Sequence, residues 1–160
     1  MNPTGSIPNT SQIWHLKPLV RFKRAPIVPR SIIRLTEERA RGAKSVFHFD
    51  VQGSVAKSTH AGIPWLRFIR QHLQGRVHFW PFDGWDIPVG RSAIAEVYPA
   101  LWSNGIAAEG RDPHQHDAFS IATWLARADR DGSLPDFLKP ALTPPERAIA
   151  QVEGWILGVA

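Results

Sequence analysis

Glu96 is the one acid in an otherwise apolar run, Ala93-Ile94-Ala95-Glu96-Val97-Tyr98. Burying a carboxylate there is costly unless it finds a partner. Further on, the stretch Asp112-Pro113-His114-Gln115-His116-Asp117 supplies a second acid, Asp117, with His114 three residues before it. Two carboxylates from different elements suit a shared divalent cation. Mg²⁺ takes oxygen ligands and keeps several waters, and two-metal hydrolysis holds its ions about 4 Å apart between carboxylates. Residues three apart lie on one helix face, so His114 is a candidate ligand or a group that orients attacking water. Glu153, beside Gly154, is the candidate third acidic ligand, with a helix-surface charge as the other reading. A glycine inside a helix costs ~1 kcal/mol relative to alanine, so Gly154 should serve close packing or leave room beside Glu153. Two plainer readings stand beside the cation site: Glu96 pairs with a basic side chain, and Asp117 interacts with the positive end of its helix.

The elements that must position these residues follow from periodicity and punctuation. Ser45–Val51 alternates apolar and polar and predicts a strand. Residues 52–62 are small and polar and predict a loop. Ile63, Leu66, Ile69 and Leu73 recur at helical spacing, with Pro64 tolerated in the first turn. Val77–Phe82 and Ala93–Tyr98 predict two further strands, the second covered on both faces. Asp112 as cap, Pro113 at the first position and Gln115 three residues on open a helix whose stripe is Ala118, Ile121, Ala122 and Leu125, closed by Asp131-Gly132. Thr143-Pro144-Pro145-Glu146 is a capping box for a last helix running to Gly158 through Ala148, Val152, Trp155 and Ile156. Thr36–Gly42 suits a short helix capped by Thr36. Strands alternating with helices argue an α/β class.

Residues 1–35 read differently. Pro3, Pro8, Pro18, Pro26 and Pro29 punctuate a stretch without hydrophobic period, which predicts an extended, disordered segment. The net charge of +5 comes from Lys17–Arg41, with eight basic residues against two acids while the rest of the chain is close to neutral; this stretch is either a solvated tail or an arm that contacts phosphates. The absence of cysteine excludes disulfides and thiolate zinc sites. No run approaches the ~20 apolar residues of a membrane helix, so the expectation is a cytoplasmic chain with no membrane partner.

Two other motifs are weaker. Gly53–Thr59 ends like a phosphate-binding loop, but Val51 and Ala56 stand where that loop needs glycines, leaving at most an anion contact through Lys57, Ser58 and Thr59. Trp65, Trp80, Phe82, Trp85 and Trp102 form an aromatic path that either packs a core or stacks bases.

Taken together, KSVFHFDVQGSVAKSTHAGIPWL, VHFWPFDGWDIP, AEVYPALW, HQHDAFSIATWL and ERAIAQVEGWILGV resemble the C-terminal part of an uncharacterised family of predicted nucleases with an RNase-H-like fold, related to Holliday-junction resolvases. The resemblance covers roughly residues 34–160. It implies a mixed sheet flanked by helices and metal-dependent phosphodiester cleavage with Mg²⁺ or Mn²⁺. Glu96 would match the acid of the fourth strand, Asp117 the acid of the last active-site helix, and His114 the histidine of an HxxD pattern. The family's leading strand, with its GxDxA acid, has no counterpart here, and Asp50 does not take that role. The expectation is thus a partial RNase-H-like domain lacking its N-terminal strands, inactive through truncation unless the missing acid comes from elsewhere. The alternative is a non-catalytic fragment that binds nucleic acid, or a partner or second copy along its exposed sheet edge.

Overall fold

The computed structural model describes residues 33–40, 42–49 and 55–160. The segment 1–32, Asp50, and the first two residues of the Gly53–Thr59 motif lie outside them. The described chain is a mixed helix-and-strand structure. In order it has α1 (Leu35–Arg39), α2 (Ala56–Leu73), β1 (Val77–Phe79), β2 (Ser92–Ile94), a 3-10 turn (Pro99–Leu101), α3 (Pro113–Asp131), α4 (Leu134–Leu138) and α5 (Pro144–Glu153).

The helix starts written most clearly in the sequence are built as read. The Asp112 carboxylate accepts the Gln115 N–H at 2.9 Å, and the Gln115 side chain accepts the Asp112 N–H at 3.1 Å. Pro113 supplies a first position that needs no donor. Gly132, at φ 79°, ends α3 in the left-handed region. Glu146 accepts the Thr143 N–H at 2.8 Å and opens α5.

Other elements depart from expectation. Residues 45–49 are turns, not a strand, and residues 56–62 are the first part of α2, not a loop. Pro64 therefore falls in the interior of α2. Thr36 lies inside α1, and Arg34 precedes the helix as its cap residue. β1 stops at Phe79, where Asp83 folds back: the Asp83 N–H donates to the Phe79 carbonyl at 2.8 Å, and the Phe79 N–H donates to the Asp83 carboxylate at 2.9 Å. β2 is three residues long, and Ser92 and Ala93 are exposed, so it is not covered on both faces. α5 ends at Glu153, because Gly154 turns the chain at φ 83°. Residues 155–159 then run back through the core instead of continuing a helix.

That returning segment organises the sheet. β1 pairs in parallel with β2, Val77 opposite Ser92 and Phe79 opposite Ile94. Just beyond β2, Glu96 bridges Ile156, again in parallel, with the Leu157 N–H donating to the Glu96 carbonyl at 2.8 Å. Every described pairing is parallel, so the sheet is not mixed. The Ile156 N–H donates to the Thr36 hydroxyl at 2.9 Å, so the segment is held between α1 and the chain after β2.

The core is aromatic. Trp102 and Trp124 stack with ring centres 4.0 Å apart, and Phe137 meets both edge-on. Trp80, Trp155, Ile156, Leu157 and Val159 are buried with them. Aromatic side chains bury the most area per residue, which lets a short chain build a core without a wide sheet. α3 faces this core with Ser120, Trp124 and Ala128, while Ala118 and Ala122 are exposed, so its buried stripe is rotated from the expected one. Gly158, at φ 94°, lies against Trp102, and a Cβ there would stand 2.5 Å from the indole.

Candidate functional site

The site grows around Arg34. Its main-chain N–H donates to Glu37 at 2.9 Å and its Nε donates to the same carboxylate at 2.8 Å. Glu37 is also the acceptor for the Val46 N–H at 3.0 Å, so it ties the turn at 45–49 to α1. The two terminal nitrogens of Arg34 grip Glu96 in a fork, each at 2.7 Å to a different oxygen. One of them also donates to the Glu153 carbonyl at 3.3 Å, at the negative end of α5, where a cation is favoured. The Glu153 carboxylate accepts the Leu35 N–H at 3.1 Å and so covers an open donor at the start of α1.

Two carboxylates, Glu37 from the next turn and Glu96 from far along the chain, and the Glu153 main-chain carbonyl thus converge on one guanidinium. Burial alone would weaken the hold of Arg34 on its proton. Glu96, and after it Glu37, outweigh that and push its pKa up, so it stays charged throughout the physiological range. A forked arginine–carboxylate pair is both stronger and more directional than a lysine contact. Gly154 makes the knot possible: a Cβ there would lie 3.0 Å from the Phe82 ring and 3.4 Å from the Arg34 guanidinium.

Glu96 and Arg34 form a wall shared by two depressions. On one side is a cleft of about 370 Å³ with a mixed lining, in which Arg34, Glu96 and Asp117 are interspersed with apolar Val46, Val97 and Ile156. On the other is a mainly apolar groove of about 630 Å³, between α2 and the sheet, lined by Ile63, Leu66, Phe79, Phe82, Glu96 and Glu153. The structure therefore brings Glu96 and Asp117 to one cleft. Asp117 is exposed, and its carboxylate makes no ion pair or hydrogen bond with a described residue. Glu153 faces the neighbouring groove, and exposed His114 lines neither. Among the described residues no group of three or more histidines and acids is placed to share an ion.

The remaining sequence motifs resolve separately. Val55–Thr59 forms the start of α2, with the Ser58 hydroxyl donating to the Val55 carbonyl at 2.9 Å. Of the aromatic path, Trp80 is core, Trp85 and Trp102 pack against it, and Trp65 and Phe82 are exposed. The sheet edge expected to offer a docking strand is short. Arg76 and Trp80 bond to β2, so Val77 and Phe79 face away from it. Asp83 occupies both main-chain groups of Phe79, which blunts that edge.

Sequence reasoning missed Arg34 and Glu37. Arg34 was one of many cations in Lys17–Arg41, and nothing in its spacing points to a partner 62 positions away. Among the described residues no helix is long and apolar enough to cross a membrane. These features define a small mixed α/β protein with an arginine-centred ion-pair cluster beside a cleft of mixed lining. No family model matches the sequence, and no curated protein or solved structure is significantly similar to it.

Proposed function

We propose that the cleft lined by Glu96 and Asp117 is a phosphodiester-cleaving site of the RNase-H-like type, with these two acids holding Mg²⁺ or Mn²⁺. The observation that carries this reading is that these two acids, one after β2 and one on α3, line the same cleft. The donor set fits such an ion. An ionised carboxylate has about four lone-pair sites, and the Arg34 fork uses two of those on Glu96. Mg²⁺ needs only one or two protein carboxylates when waters and substrate phosphate complete its shell. The ion would supply Lewis-acid stabilisation of the phosphate charge.

The test is nicking of labelled single- and double-stranded DNA and RNA with Mg²⁺ or Mn²⁺. Asp117→Asn should lower the rate by about a hundredfold, the scale for loss of a charged transition-state contact. Asp117 is exposed, so that variant keeps its fold. Unchanged cleavage in both Asp117→Asn and Glu96→Gln would remove the cleft from consideration.

A second reading, non-catalytic nucleic-acid or partner binding, is favoured by the Arg34 fork itself, which already balances the Glu96 charge. Salt-dependent binding without metal-dependent nicking would select it.

A further inference from the structure

α2 carries a second feature, on the side away from the groove. Over its 18 residues it has no acid, and it carries Lys57, Arg67 and Arg70, with Arg76 just beyond. Arg70 is engaged with Asp83. Lys57 and Arg67 are exposed and make no ion pair with a described residue. At 3.6 residues per turn, Trp65, Phe68 and His72 fall within an arc of about 60°. Ile63 and Leu66, which line the groove, fall on the opposite half of the helix.

These outer aromatics form a continuous ladder. The Phe68 and His72 rings stack at 3.7 Å, and Trp65 meets Phe68 edge-on at 6.2 Å. Trp65 is 69 % exposed and Phe68 48 %. Large aromatic rings turned to solvent on a purely cationic helix do not serve the core. Flat apolar faces flanked by positive charge complement one class of polymer well: a strand whose bases are unstacked and whose backbone is anionic. A duplex hides its base faces and offers only phosphates.

We infer that the outer face of α2 is a binding surface for single-stranded nucleic acid, with Trp65 and Phe68 stacking bases and Lys57, which shares that side of the helix, contacting phosphates. The surface is separate from the Glu96–Asp117 cleft and stands whether or not that cleft cleaves anything.

The experiment is fluorescence anisotropy of the full chain with a labelled 20-nucleotide single strand and the matching duplex, over a range of salt. The single strand should bind more tightly than the duplex. Trp65→Ala with Phe68→Ala should weaken single-strand binding by about tenfold per ring, the usual scale for a lost base stack. The tyrosine pair at the same positions should stay within a few-fold of the native chain. Lys57→Gln should reduce the salt slope by about 0.7. Tryptophan emission quenched by the strand in the native chain should be quenched less in Trp65→Phe. Equal affinity in the double-alanine variant, or equal losses for strand and duplex, would overturn the inference. So would capture by phosphatidylserine vesicles with no binding of the oligonucleotide.

Discussion

α2 and α3 are helices of nearly equal length, 18 and 19 residues, with similar apolar periodicity, yet they meet opposite fates. α3 buries Ser120, Trp124 and Ala128 and presses Trp124 onto Trp102. α2 buries Ala56 alone. It is tethered mainly by Arg70, which pairs with Asp83 at 2.7 Å and lies 4.4 Å over the Phe79 ring. The difference teaches that periodicity specifies a helix and its apolar stripe, but not whether a surface exists to cover that stripe. Most helix stability in proteins comes from such coverage, not from propensity.

The comparison breaks most visibly at the stacked tryptophans. Trp124→Ala should cost about 3–5 kcal/mol, the range for emptying an aromatic site, whereas Trp65→Ala should stay within about 0.5 kcal/mol. Urea unfolding followed by circular dichroism measures both, and comparable losses would mean α2 is packed after all.

The Arg34 knot should rank next. The Glu37 side chain is 1 % exposed, and Arg34→Ala strands it without its cation. Breaking a buried pair from one side costs about 3–5 kcal/mol. The partly exposed Glu96 end makes the lower figure the expected one in the same assay.

Pro64 sharpens the contrast from the other side. Proline in a helix interior costs about 3 kcal/mol by removing a donor and crowding the preceding turn. Pro64→Ala should raise amide protection within α2 by a free energy of about 1–3 kcal/mol and leave α3 unchanged, as hydrogen exchange would show. Unchanged protection would mean that α2 opens for reasons unrelated to Pro64.

The smallest effect should come from the tether. Burial pushes the Asp83 pKa up, but the Phe79 N–H and then Arg70 more than offset it, so the carboxyl titrates below its usual range. A group with a depressed folded pKa stabilises above its unfolded value, about 3.9, and loses that contribution as pH falls through the folded one. Asp83→Asn should therefore lower stability by under 1 kcal/mol near pH 7, as for other surface pairs. The gap to the native chain should shrink below about pH 4. A gap that widens with acid would contradict the assignment.

Much of the site was half-legible. Glu96 stood out as an acid in an apolar run and Asp117 as a second acid three residues from His114, and the two acids do share a cleft. Glu153 was noted through Gly154, but for the wrong local reason: the glycine ends α5 and admits Arg34 and Phe82, and does not sit inside a helix. Arg34 was invisible as an individual because its partners Glu96 and Glu153 are remote in sequence. The turn at 45–49 mimicked part of a strand because an alternating pattern over the seven residues Ser45–Val51 is short. Its main-chain groups are satisfied locally and by Glu37, so no neighbouring strand is needed.

By itself, the sequence determined what is local: the two capping boxes, the helix-ending glycines and the aromatic supply for a core. Each of these acts within a few residues, through one or two hydrogen bonds or a backbone angle. Tertiary structure alone decided which stripe of α3 is covered, that residues 155–159 pair with Glu96, and that one arginine gathers the Glu37 and Glu96 carboxylates and the Glu153 carbonyl. Those outcomes depend on contacts between segments far apart in the chain, whose free energy no local pattern encodes.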